Sequence, residues 1–155
     1  KYCKNTKNTK KEELIKKLEK ITGVKTDNNS CKNYQIMNWK ELKKFSENDN
    51  FIVGGHSMHH EILSSLSIQK MRENIKKSIK ILKEKLQKEI LHYSYPEGQI
   101  NHYNNNVINE LKKNGIKCCP SAIDGQANFS QGLFNLRRVM VGLSGVKFPY
   151  NKIKK

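Results

Sequence analysis

Phe51-Ile52-Val53-Gly54-Gly55-His56-Ser57-Met58-His59-His60 runs from an apolar segment through two glycines into three histidines. The apolar part, Phe51 to Val53, reads as a buried strand, because β-branched and aromatic residues bounded by turn residues suit a sheet interior. Gly54 and Gly55 let the backbone turn at the strand end, where a Cβ obstructs. His56 and His60 stand four apart, so a helical turn here places both imidazoles on one face. Two neutral imidazoles together supply half of a transition-metal site. The same spacing also suits a solvated polar loop, and spacing alone does not separate the two.

Upstream, Thr9 is the expected N-cap of a helix to about Ile21, with Leu14, Ile15, Leu18 and Ile21 at helical spacing and Gly23 closing it. Residues 24–35 read as an exposed connection. Asn38 caps a short helix to about Glu47, with Trp39, Leu42 and Phe45 along one side. Trp39 keeps step with Leu42 and is therefore assigned to the core. Downstream, Ser67 caps the longest helix, over about 68–88, whose stripe is Ile68, Met71, Ile75, Ile79, Leu82 and Leu86. Residues 90–95 alternate like a strand, with His92 inside it. A further helix begins at Asn104 or Asn105 and ends near Asn114 at Gly115. Ile116 to Cys119 is a short strand, 120–131 a loop, and Leu136 to Val141 a last strand. Strands alternating with helices predict an α/β fold with parallel strands.

At 155 residues the chain is read as one domain, 1–155. Thirty Lys and Arg against fourteen acids give +16, an excess that suits nucleic acid, anionic lipid or anionic glycan. The lysines are spread over every helical segment, which favours solvated faces over a dedicated patch, so no specific nucleic-acid partner is expected. Four cysteines form no C-x-x-C pair. Adjacent Cys118 and Cys119 point to opposite faces of a strand, which disfavours a mutual disulfide, whereas a Cys3–Cys31 bridge stays open. No apolar run is long enough for a transmembrane helix, and no signal peptide is visible.

The segment Met37-Asn38-Trp39-Lys40-Glu41-Leu42, followed by Gly54 to Ser67, resembles the middle of a polysaccharide deacetylase, a NodB-type domain of carbohydrate esterase family four. His56, Ser57 and His60 match its second motif, H-[S/T]-x-x-H. Tyr93-Ser94-Tyr95-Pro96-Glu97-Gly98 is similar to a third-motif loop reading F-A-Y-P-x-G. Val107 to Cys118 and Leu133 to Val141 are similar to the following helix and strand and to the final strand. The likeness covers about 36–142, with 1–35 a helix plus an insertion loop. It implies a partial, distorted (β/α) barrel missing its first strands.

Departures are equally specific. The first motif, T-F-D-D, with its catalytic-base Asp and metal-ligand Asp, has no counterpart among Asp27, Asp49 and Asp124. Ser94 stands where the third motif carries Arg, and Leu136-Arg137-Arg138 replaces the late L-x-H. A chain lacking N-terminal strands is expected, with a degenerate homologue as the alternative. The resemblance implies metal-dependent N-deacetylation of an N-acetylated polysaccharide or lipid-linked sugar. The divalent metal, zinc by donor type, falls to His56 and His60. The resemblance assigns the Glu97 backbone N–H to an oxyanion. Tyr95 and Pro96 fall beside the sugar, Tyr95 being equally readable as a packed strand residue. His102 is the remaining histidine within reach as general acid, and His59 is read as exposed or supporting. The implied setting is the bacterial cell envelope or the cytoplasmic membrane periphery. Two other readings stand beside this one: a non-catalytic glycan-binding NodB-type module, and a basic nucleic-acid-binding protein.

Overall fold

The computed structural model describes residues 8–25 and 35–139. By its contacts the chain divides into two compact units, Lys1–Asn38 and Trp39–Lys155. In the first, helix α1 (Asn8–Thr22) begins one residue ahead of the expected cap Thr9. It closes where the Gly23 N–H donates to Glu19 O at 2.9 Å, with Gly23 at φ 71°. Ile15, Leu18 and Ile21 of its apolar stripe are exposed. Cys3, Cys31 and most of the expected connection lie outside the described residues.

The second unit is built from extended segments that run parallel and are separated by helices. Gly55 pairs with Tyr93, and His92 with Cys118, both in parallel register. The Gly55 N–H donates to His92 O at 3.0 Å and the Ser94 N–H to Gly55 O at 2.8 Å. Tyr93 donates to Cys118 O at 2.9 Å, and Lys117 to Leu91 O at 2.8 Å. On the far side, Cys119, Ser121 and Ile123 bond with Leu133, Leu136 and Arg138. Partner numbers rise together throughout, so this stretch too runs parallel. The last strand thus begins pairing at Leu133, ahead of its expected start at Leu136, while positions 140 and 141 lie outside the described residues.

Helix α2 (Trp39–Ser46) precedes the first extended segment. Helix α3 (Ile68–Leu86) fills the first crossover and α4 (Asn105–Lys113) the second. Both caps sit where the sequence puts them. Ser67 Oγ accepts from the Lys70 N–H, and Asn104 Oδ1 accepts from the Val107 N–H at 3.1 Å. Helix α3 ends earlier than expected, at Leu86, because Gln87 takes a left-handed conformation (φ 56°) and donates its N–H to Lys83 O. The core lies between these helices and the ladder: Leu63, Met71, Ile75, Ile79, Leu86, Ile90, Tyr93, Tyr95, Val107, Leu111, Ile116, Cys119 and Phe134 are buried. Each such side chain contributes roughly 1.5–3 kcal/mol by leaving water.

Three expectations are corrected. Phe51 and Ile52 are exposed and Val53 only half-buried, although a buried strand was expected over 51–53. The Phe51 N–H turns back to Asn48 O at 3.0 Å, and the pairing with 92–94 is made by Gly55, beyond the apolar residues. Phe51 rests instead on Phe45, ring centroids 3.9 Å apart. Trp39 is 45% exposed, with Lys85 Nζ 5.9 Å above its ring; it is Leu42 that packs on the core. Ile68 opens the predicted stripe of α3 but lies in its first turn, before the helix reaches the core, and is exposed.

Candidate functional site

Loops that follow the extended segments at their carboxyl ends hold the candidate residues, where α/β folds place their ligands. Gly55 begins the histidine loop. A Cβ there meets Tyr93 Cδ2 and Cε2 at 2.5 Å, and one at Gly54 meets His92 O at 2.9 Å. The two glycines are thus required by close packing against the neighbouring segment.

His56 and His60 come together with ring centroids 4.8 Å apart and planes inclined by 69°. The helical turn expected to bring this about does not form. Ser57 (φ 66°) and His60 (φ 54°) both adopt left-handed conformations. The loop's N–H groups go to side chains and not to carbonyls four residues back: Ser57 N donates to Tyr93 Oη at 2.7 Å and Met58 N to Asn74 Oδ1 at 3.0 Å. With Ser57 and His60 at positive φ, the backbone cannot follow a right-handed helical turn here.

His56 Nδ1 lies 2.8 Å from Ser94 O. A carbonyl only accepts, so Nδ1 carries the proton and Nε2 presents a lone pair. A ring nitrogen tied to a carbonyl, fixing the tautomer of the other, is the usual support of a metal-ligating histidine. Two imidazoles at this separation can share one ion at N–metal distances of about 2.0–2.1 Å. Ser57 Oγ is buried with no hydrogen-bond partner, a polar atom within the loop still open to one. This donor set fits a divalent ion of the zinc type. Among the described residues no third His, Cys, Asp or Glu joins the pair. His59 is exposed, as expected, and His92 is half-buried within the ladder.

The other expected residues fall elsewhere. Tyr95 is 1% exposed, its hydroxyl donating to Phe134 O at 3.1 Å and its ring stacked on Tyr103 at 4.0 Å. Pro96 is fully buried beside it. Both side chains are packed in the core at the buried end of the 90–95 segment, which is the packed-strand reading of Tyr95. Glu97 (φ 61°) and Gly98 (φ 64°) form a left-handed turn, which re-aims the peptide before Glu97. The turn is pinned by Gly98 N–H to Pro96 O at 2.7 Å and by Ala122 N–H to Gly98 O at 2.8 Å. His102 closes a separate turn, its Nδ1 accepting from the Gln99 N–H at 3.2 Å; no ring contact or hydrogen bond joins it to His56 or His60 among the described residues. Arg138 Nε donates to Ser121 O at 2.6 Å, so that arginine ties the last segment to its neighbour.

Burial raises the pKa of the Tyr93 and Tyr95 hydroxyls and, with it, that of the Cys119 thiol. Cys119 is thus a neutral core residue and not a nucleophile. Sequence reasoning passed over Asn74 and Ser78 and gave Tyr93 no role beyond its place in the third-motif loop. The signal was present: Asn74 and Ser78 share the buried face of α3 with Met71, Ile75 and Ile79, and polar groups on an apolar stripe need partners.

The family profile for polysaccharide deacetylase matches residues 5–119. The chain belongs to that family. As a NodB-type domain it is similar in fold to the Streptococcus pyogenes deacetylase PplD in complex with acetate, at 22% identity and TM-score 0.60 over 66% of this chain and 43% of that one. It is also similar to the BpsB deacetylase domain from Bordetella bronchiseptica (16%, TM-score 0.61, 75% and 54%) and to a polysaccharide deacetylase from Bacillus cereus (18%, TM-score 0.56, 79% and 41%). This deacetylase-family chain therefore spans about half, or less, of the length of those structures. Among curated proteins no match is found.

Proposed function

We propose that this chain carries the histidine side of the metal site in a metal-dependent carbohydrate N-deacetylase. The observation behind it is the His56–His60 pair at 4.8 Å, with His56 Nδ1 held by Ser94 O so that Nε2 faces outward as a ligand. His56 and His60 would hold a divalent ion, which when bound would supply Lewis-acid polarisation of an acetyl carbonyl and a water pKa lowered to about 7. Around it, the protein's own parts are the ring-orienting Ser94 carbonyl and the left-handed Glu97 turn, whose backbone N–H is proposed to face the developing oxyanion. One such donor is worth roughly 2.7–4 kcal/mol. The substrate class is an N-acetylated polysaccharide, set in the bacterial envelope. Among the described residues no helix is long and apolar enough to cross a membrane.

A second reading, a glycan-binding module without hydrolytic activity, is favoured by Ser94 in place of the family's arginine and by Leu136-Arg137-Arg138 in place of its late L-x-H. Calorimetric titration with zinc separates the two readings from their common alternative. Stoichiometric uptake by the wild type, lost in the His56→Ala, His60→Ala double variant, is the expected result. Absence of uptake in both removes the metal site. Zinc uptake without release of acetate from N-acetylated oligosaccharides selects the binding module.

A further inference from the structure

Between the two rings, the histidine loop is held in a conformation that its sequence alone does not favour. Ser57 and His60 are non-glycine residues at φ 66° and 54°, a backbone region such residues keep only where the surroundings impose it. Two buried side chains from different elements grip the backbone at that place. Tyr93 (2% exposed) takes the Ser57 N–H at 2.7 Å, and Asn74 (8% exposed) takes the Met58 N–H at 3.0 Å.

We propose that Tyr93 and Asn74 are positioning residues that set the spacing of the His56–His60 pair, each by capturing one backbone N–H of the loop joining them.

The directions of the hydrogen bonds leave little slack. Ser78 Oγ donates its single proton to Ile75 O at 2.9 Å, so at 3.3 Å from Tyr93 Oη it accepts. Tyr93 O–H is the donor there, and its oxygen receives the Ser57 N–H. A one-way chain thus runs from the Ser57 N–H through Tyr93 and Ser78 to a backbone carbonyl of α3, with every proton assigned. Burial, which raises the Tyr93 pKa, keeps that hydroxyl protonated and able to donate. The second clamp is equally fixed. Asn74 Oδ1 accepts from Met58, so Nδ2 is the group donating to Glu61 Oε2 at 3.2 Å. Asn74 therefore grips the loop on both sides of His60, while the Tyr93 ring lies directly under Gly55, where the loop starts. Helix α3 is in this way the ruler against which the two imidazoles are placed.

The inference rests on the proposed metal site only for its zinc arm, and Tyr93→Phe and Asn74→Ala in the full chain test it by three readouts. Amide exchange is expected to quicken at Ser57 in Tyr93→Phe and at Met58 in Asn74→Ala, with α3 and α4 still protected. The cross-relaxation between His56 and His60 ring protons in metal-free protein is expected to fall in both. Zinc affinity is expected to drop 10- to 100-fold, the range for loss of a supporting group. Wild-type ring cross-relaxation and zinc affinity in both variants would overturn the proposal. So would exchange that quickens uniformly through the core, since that marks a general loss of stability. Should the wild type itself take up no zinc, the metal reading fails alone, and exchange and cross-relaxation decide the positioning claim.

Discussion

Gly55 has no side chain because the Tyr93 ring occupies the space where one would go. A methyl group there comes within 2.5 Å of two ring carbons that are themselves buried and cannot swing away. Gly55→Ala is therefore expected to cost about 1–3 kcal/mol, the scale of overpacking in a tight interior, as a lower urea midpoint. It also moves the ring that receives the Ser57 N–H, so the histidine pair is disturbed together with the fold. The histidines tell a related story. Their identity and spacing are legible in the sequence, and the structure does bring them together. The means is a loop with two left-handed residues, held at the Ser57 and Met58 N–H groups by distant side chains, which four-residue periodicity does not reveal. Tyr95 and Pro96 show the converse: a motif position indicates a neighbourhood, while burial determines which way a side chain faces.

At the level of elements, periodicity and capping read well where the chain is helical. Ser67 and Asn104 cap the helices they were expected to cap, and Met71, Ile75 and Ile79 form the buried stripe of α3. Periodicity fails at edges, since it reports which residues share a face and not whether anything covers that face. Phe51, Ile52 and Trp39 are apolar and exposed for this reason. Helix α3 offers a sharp test within one stripe. Ile75 is 0% and Ile68 is 53% exposed. Ile75→Ala is expected to destabilise by about 2–5 kcal/mol, and Ile68→Ala by no more than about 0.5 kcal/mol, in parallel chemical denaturations. Equal effects at the two positions contradict the burial described.

For the molecule as a whole, alkaline pH is the revealing variable. Folding raises the pKa of Tyr93, Tyr95 and Cys119 above their ordinary values of 10.0, 10.0 and 9.0, chiefly through desolvation. Above about pH 9 the unfolded chain sheds these protons and the folded chain keeps them, so the unfolded state binds fewer protons and stability falls as pH rises. The contribution is complete below the unfolded values and is lost progressively above them. Thermal midpoints are expected to decline from about pH 9 upward. In Tyr95→Phe, which removes one of the groups, the decline is expected to be shallower. An equal slope in wild type and variant assigns the alkaline loss to other groups. The Tyr95→Phe comparison isolates the buried hydroxyl from whatever else changes with pH.

The parallel ladder also governs how the chain reaches this state. Gly55 meets Tyr93 only across a stretch containing all of α3, and His92 meets Cys118 only across α4. Among the described residues no pair of neighbouring segments is joined by a tight hairpin. Each pairing must first close a long connection, whose entropy is lost before any hydrogen bond is gained. Refolding is therefore expected to be limited by the docking of α3 and α4, with the histidine loop, gripped from α3, ordering last; amide protection at Ser57 and Met58 that appears before protection in α3 contradicts this.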